Sequence, residues 1–196
     1  INRAEKEDAR LIIIAFNTPG GLDSSMREII ERILSSKTPV AAYVTPSGAR
    51  AASAGFFISI ACDIFVMAPG TSTGAAHPVG ISITGQAMDK TQEEKLTNDA
   101  ASYIKTLAEK RGRNVKLAED AVRLSSSYTE KEALEGKLID LIAKNDKEII
   151  EHFDGKKIKR FDGREELLKL GDSEIVEVPM TARQKFLLTI SNPNLA

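Results

Sequence analysis

Residues 11–22 read L-I-I-I-A-F-N-T-P-G-G-L, and the fold class follows from them. The apolar run 11–16 has the length and branching of a strand covered on both faces. Asn17, Thr18, Pro19, Gly20 and Gly21 then stop it with strong turn chemistry. Asp23 or Ser24 is placed to cap a helix in which Met26, Ile29, Ile30, Ile33 and Leu34 share one face of a 3.6-residue period. A second apolar run, 40–44, comes after Lys37, Thr38 and Pro39. Strand, helix and strand in that order make a βαβ unit, so the sheet is expected to be parallel, with right-handed crossovers.

Working outward, the pattern repeats. A turn at 46–48 leads to a short helix of small and apolar residues over 51–62, then to a third strand over 63–68. Residues 69–85 are rich in Gly, Thr, Ser and Pro without a period and read as an irregular excursion. A long helix is expected over 91–110, with Leu96, Ala100, Tyr103 and Leu107 on one face. Helices over 115–124 and 129–135 and a strand near 138–142 follow. Beyond Asn145 the chain becomes more charged, and its pattern gives a helix over 147–153 and short strands over 156–161 and 175–178. Residues 181–190, with Arg183 and Lys185, read as a short amphipathic helix that docks on a membrane surface or partner, or folds back onto its own domain.

Composition narrows the chemistry. The 196 residues carry 27 Lys plus Arg against 28 Asp plus Glu, a balance that gives no electrostatic reason for nucleic-acid binding. Apolar residues make up 42% of the chain, which suits one domain with its own core. The single Cys62 and the two histidines, His77 and His152, leave no disulfide framework and no ordinary zinc-ligand set. No metal and no cofactor is expected. No apolar stretch has the roughly 20 residues needed to span a bilayer.

Three features sit where a parallel sheet places its sites, at the carboxyl ends of its strands. Gly20 and Gly21 let the backbone turn tightly with unobstructed N–H groups, which suits an oxyanion hole; taken alone, the pair is a tight β-to-α turn. Ser53, in A-A-S-A-G at 51–55, would sit at the positive end of a helix, with Ala52, Ala54 and Gly55 small enough to admit a peptide backbone. The run lacks the first glycine of the G-x-S-x-G elbow, and its plain alternative is a small-residue helix packed on the sheet. A serine needs a base. Lys90 and Lys95 stand at the entrance to the long helix, Lys95 directly before Leu96 of the apolar face. A lysine desolvated there could act as a neutral base, although most lysines at such positions are simply solvated. His77, in A-A-H-P, is the competing base.

Together these segments resemble the catalytic domain of NfeD-type membrane-bound serine proteases, in the ClpP/crotonase superfamily and close to signal peptide peptidase A. The matching stretches are N-T-P-G-G-L (17–22), P-S-G-A-R-A-A-S-A-G-F-F (46–57), M-A-P-G-T-S-T-G (67–74), A-A-H-P-V-G (75–80) and K-L-T-N-D-A-A-S-Y-I (95–104). The resemblance implies an α/β fold, a stacked, parallel-rich sheet of βαβ units flanked by helices. It implies a Ser–Lys endopeptidase with Ser53 as nucleophile and Lys95 as base. Backbone N–H groups of Gly20 or Gly21 and of Ala54 would form the oxyanion hole, with the choice of glycine open. A ClpP-like triad through His77 is the runner-up, without an acidic partner in an obvious place near 125–127.

The resemblance also implies a layout. Residues 1–145 would be the protease core, 146–180 an extension of the same domain, and 181–196 a juxtamembrane segment leading to membrane spans beyond it. The start at Ile1 would fall inside a helix that follows one further strand. The expected substrate is a hydrophobic region of a stomatin-like membrane protein, met by a homodimer whose catalytic domain is extracytoplasmic and anchored to the membrane. Two other classes compete: a crotonase-type acyl-CoA enzyme, which needs no serine, and a non-catalytic scaffold for membrane partners.

Overall fold

The structure, a computed structural model, describes residues 1–78 and 89–181. After a short helix, α1 (Asn2–Lys6), the chain forms the expected unit β1 (Ile12–Phe16), α2 (Asp23–Leu34) and β2 (Val40–Val44). It continues through β3 (Arg50–Ala52), α3 (Ala54–Ala61), β4 (Ile64–Met67) and β5 (Ser72–Gly74). Then come α4 (Lys90–Arg111), α5 (Val115–Arg123), β6 (Ser127–Thr129), α6 (Glu130–Glu135) and β7 (Leu141–Ile142). The last described elements are α7 (Asp146–Phe153) and the hairpin β8 (Lys157–Lys159) and β9 (Glu165–Leu167).

The main sheet has the order β1-β2-β4-β7, and every pair in it is parallel. The two-residue alternation of its strands feeds two separate cores, because both faces are covered. Val40, Ala42, Val44, Phe65 and Met67 point into a core shared with α2, α3, α4 and α5. Ala41, Tyr43, Ile64 and Val66 point the other way, onto Ile149 and Phe153 of α7 and onto Ile158, Leu168 and Leu170 around the hairpin. A second sheet, β3-β5-β6, is mixed: β3 and β5 are parallel, β5 and β6 antiparallel.

Several expectations are corrected. β1 lies at the edge of the sheet and is only half-buried, so its continuous apolar run does not mean cover on both faces. The helix expected over 51–62 begins at Ala54; Ala51 and Ala52 belong to β3, because they pair with Thr73 and Gly74 of β5, with Thr18 bridging Ala51 on the other side. Neither Asp23 nor Ser24 caps α2: Leu22 is the N-cap residue and Asp23 the first helical one. Residues 72–74 form β5 within the stretch read as irregular. Residues 175–178 form no strand among the described residues, and Ile175, Val176 and Val178 are exposed. The helix expected over 181–190 lies almost wholly outside the described residues. No described helix is long and apolar enough to cross a membrane.

Candidate active site

Ser53 occupies the junction between β3 and α3, with φ 53° and ψ −121°. This left-handed conformation is unusual for a serine and is of the kind held only where neighbouring structure dictates it, at about 1–3 kcal/mol. Two sets of contacts dictate it here. The Ser53 N–H donates to the Gly74 carbonyl at 3.0 Å, fastening the residue to β5. Its own carbonyl accepts from Phe56 and Phe57 N–H, starting α3. The side chain is therefore delivered to the helix N-terminus on a sharp strand-to-helix turn, the local form of a nucleophile elbow, although the first glycine of that motif is missing. The Ser53 hydroxyl makes no hydrogen bond among the described residues, and neither does the N–H of Ala54 next to it.

The Gly-Gly turn lies directly against this serine. Gly20 has φ +143°, and a Cβ there would lie 2.9 Å from Ser53 Cβ and 3.2 Å from Ser53 Oγ. Only glycine fits such an approach in that conformation. The turn is fastened by Thr18, whose N–H donates to Arg50 O at 2.7 Å and whose carbonyl accepts from Ala52 N–H at 3.1 Å. Thr18 Oγ1 accepts from Gly20 N–H at 3.1 Å and donates to Gly20 O at 3.0 Å. The Gly21 N–H donates to nothing among the described residues. In sequence Thr18 is a turn residue, and nothing in the local pattern discloses these bonds.

The two candidate bases are placed differently. Lys95 stands in the second turn of α4, exposed, without an ion pair or hydrogen bond among the described residues, and is not hydrogen-bonded to Ser53. Helices α3 and α4 nevertheless run in the same direction. Phe57 stacks on Tyr103 with ring centroids 6.1 Å apart, and further along Arg111 Nε donates to Ala61 O at 2.7 Å. At about 1.5 Å rise per residue, the early turns of α4 extend back past the end of α3 that carries Ser53. Lys90 is exposed one turn earlier, beside the Asp89 cap. His77 faces elsewhere. Its Nδ1 lies 3.0 Å from Val122 O, which assigns the proton to that nitrogen, and its Nε2 lies 3.6 Å from Glu93 Oε1. A depression of about 390 Å³ beside it is lined by Glu93, Glu94, Thr97, Asn98 and Arg123, and Ser53 is not among its walls.

The opposite ends of α3 and α4 are tied to a buried ion cluster that the sequence did not disclose. Asp63 accepts from Arg111 at 2.6 Å, from Arg160 at 3.1 Å and from the Val40 N–H at 2.9 Å. Both Asp63 and Arg111 side chains are 1% exposed. Burial lowers the Arg111 pKa from its ordinary value, opposed by the neighbouring Asp63 charge. Arg113 reaches Asp140 at 3.0 Å and the Cys62 carbonyl at 3.4 Å. Burial pushes the Cys62 thiol up to about 12, so it is no nucleophile at neutral pH. No cluster of three or more His, Cys, Asp or Glu among the described residues is arranged to hold a metal.

Fold and elbow together define an α/β protein of the ClpP/crotonase type, with a serine at the entrance to a helix beside a glycine turn. The chain belongs to the NfeD1b N-terminal domain family, which it matches over residues 1–178. It is 38% identical to the membrane-bound protease PH1510 of Pyrococcus horikoshii over 198 residues, covering 100% of this chain and 44% of that protein. It is 44% identical to the membrane protein NfeD1b of Bacillus subtilis over 73 residues, covering 37% of this chain and 16% of that one. The chain thus spans less than half the length of these curated relatives.

Solved structures of the 1510-N protease superpose closely. A lysine-to-alanine variant of that membrane-bound stomatin-specific protease, in complex with a substrate peptide, gives a TM-score of 0.88 at 36% identity over 96% of this chain and 86% of the other. A serine-to-alanine variant gives 0.84 at 37% identity over 92% of this chain and 87% of the other. The Pyrococcus horikoshii 1510-N protease, specific for a stomatin homolog, gives 0.82 at 34% identity over 97% and 87%.

Proposed function

We propose that this chain is the catalytic part of a serine endopeptidase with a Ser–Lys dyad, cleaving hydrophobic segments of membrane-associated proteins. The observation that carries the reading is Ser53 itself: a left-handed serine at the N-terminus of α3, its hydroxyl without a partner among the described residues, set against a glycine turn. Similarity to proteases in which a serine and a lysine have been replaced supports the same two residue types here. Lys95 is preferred to His77 because both His77 nitrogens face Val122 and Glu93. Exposed Leu22 and Leu96 flank Gly21 and Lys95 in sequence, which suits an apolar substrate.

In the proposed reaction Ser53 Oγ attacks the scissile carbonyl carbon while the Lys95 amine takes the hydroxyl proton. The carbonyl electron pair moves onto oxygen, where the Ala54 N–H and a glycine N–H of the turn receive it, aided by the positive end of α3. Collapse breaks the C–N bond, and the lysine ammonium gives its proton to the departing amine. Water then releases the acyl group by the same steps. Lys95 comes within reach of Ser53 once substrate lies across the site, since hydrogen bonds between catalytic groups often tighten only in the complex.

By similarity to the stomatin-specific relatives, the substrate is a hydrophobic region of a stomatin-like protein. In the proposed assembly a homodimer, anchored to the membrane on its extracytoplasmic side, meets it. A fluorophosphonate probe tests the core of the proposal: the wild-type chain is expected to label, and Ser53→Ala to abolish labelling. An undiminished signal in Ser53→Ala would remove Ser53 as the nucleophile. Light scattering of the purified chain tests the dimer, and a monomeric mass at working concentration would refute it.

A further inference from the structure

We infer that the Thr18 side chain is a positioning residue that holds the Gly20–Gly21 peptide with its N–H turned toward the oxyanion, an inference that rests on the proposed serine-protease chemistry. Three observations converge on it. Thr18 Oγ1 takes up the Gly20 N–H, which removes that group from the candidate oxyanion donors. The same oxygen donates its own hydrogen to the Gly20 carbonyl. A trans peptide points its C=O and N–H in opposite directions. Fixing the Gly20 carbonyl on the Thr18 side therefore turns the Gly21 N–H away from Thr18, and that N–H is left without a partner among the described residues.

The alternative arrangement is easy to name. Gly20 and Gly21 have no side chains to resist rotation of the peptide between them. Flipped, that peptide would present the Gly20 carbonyl where negative charge develops, and the hole would repel what it must bind. Thr18 opposes the flip from a fixed base. Its backbone is paired on both sides with Arg50 and Ala52, the strand that runs straight into Ser53. Its Cγ2 lies under Gly55, where an added Cβ would be 2.5 Å away. The hydroxyl is thus registered to the nucleophile through one short, continuous piece of backbone. With Gly20 N–H already engaged, the clamp assigns the second oxyanion donor to Gly21, alongside Ala54.

The test separates the hydroxyl from the methyl. Thr18→Val keeps the shape and loses the hydroxyl; Thr18→Ser keeps the hydroxyl and loses the methyl. The readouts are the rate of fluorophosphonate labelling at Ser53 and the steady-state cleavage of a quenched fluorescent peptide of apolar sequence, with thermal unfolding as control. Thr18→Val is expected to lower the labelling rate and kcat by about 100-fold, at the low end of the loss for one oxyanion donor, with KM little changed. Thr18→Ser is expected to stay within a few-fold of wild type. Where Thr18→Val does not fold, Thr18→Ser against Thr18→Ala makes the same comparison, both lacking the methyl. Wild-type kcat in Thr18→Val, a loss confined to KM, or an equal loss in Thr18→Ser would each overturn the clamp while leaving the protease reading intact. Labelling that Ser53→Ala does not remove would overturn both.

Discussion

Helix α3 has two very different ends. At Ala54 the helix opens with free donors: Ser53 is held in a left-handed conformation, and neither its hydroxyl nor the Ala54 N–H has a partner among the described residues. At Ala61 and Cys62 the last carbonyls are taken up by Arg111 and Arg113, whose charges also match the negative end of the helix. Arg111 and Arg160 then converge on buried Asp63, which fastens α4 and the β8–β9 hairpin to the same point. Helix α4 repeats the contrast, with Arg111 buried at one end and Lys95 exposed at the other. Local strain and unsatisfied donors are tolerated at one end of a helix pair because buried ion pairs anchor the other end.

The largest effect is expected at the open end. Ser53→Ala is expected to reduce peptide cleavage by roughly 10⁴-fold or more, with no change in thermal stability, since alanine keeps the Cβ and with it the left-handed strain. Residual cleavage within 100-fold of wild type would place the nucleophile elsewhere. Lys95→Ala follows, with an expected loss of about 10²–10⁴-fold in kcat, the range of a general base, and an unchanged fold. His77→Ala serves as its partner experiment and is expected to stay within about 10-fold of wild type. A dead His77→Ala beside an active Lys95→Ala would exchange the two roles.

The closed end is probed by stability. Arg111→Met removes one partner of a buried pair and leaves Asp63 with a weaker claim on its remaining donors, at an expected cost of about 3–5 kcal/mol. Chemical denaturation measures it. The labelling rate per folded molecule is expected to remain near wild type, because Arg111 touches nothing at Ser53. A variant that keeps its stability but loses labelling would show that the two ends are one coupled device, contrary to the division drawn between them.

Much of this division was legible in the sequence, but unevenly. The βαβ order and the small residues around Ser53 follow from local patterns, since period and side-chain size act over neighbouring positions. Strand β5 did not show because Ser72, Thr73 and Gly74 carry no alternation; it exists through pairing with β3 and β6. Residues 175–178 show the reverse, a β-branched run that forms no strand among the described residues. Asp63 and Arg160 lie too far apart in sequence for any local pattern to join them. Thr18 was hidden differently: a Thr before Pro-Gly-Gly is good turn chemistry whether or not its hydroxyl holds a peptide plane. The two glycines were readable as a possible oxyanion turn, but the choice between their N–H groups depends on that hydroxyl.

The smallest expected effect is also the most local, and it sits where strand pairing, helix start and glycine turn meet. A Cβ added at Gly55 would lie 2.5 Å from Thr18 Cγ2 and 3.7 Å from Ala51 Cβ, so Gly55→Ala forces the threonine methyl to give way. Overpacking of this kind is expected to cost about 1–3 kcal/mol. The displaced threonine would also loosen its hold on Gly20. Thr18→Ser removes the offending methyl and keeps the hydroxyl, so the double variant is expected to recover most of the lost stability and labelling rate. The two substitutions then fail to add, as contacts between direct neighbours do. Strict additivity in the double-mutant cycle would mean that Gly55 is needed for some reason other than Thr18, and the open end of α3 would have to be rebuilt without that contact.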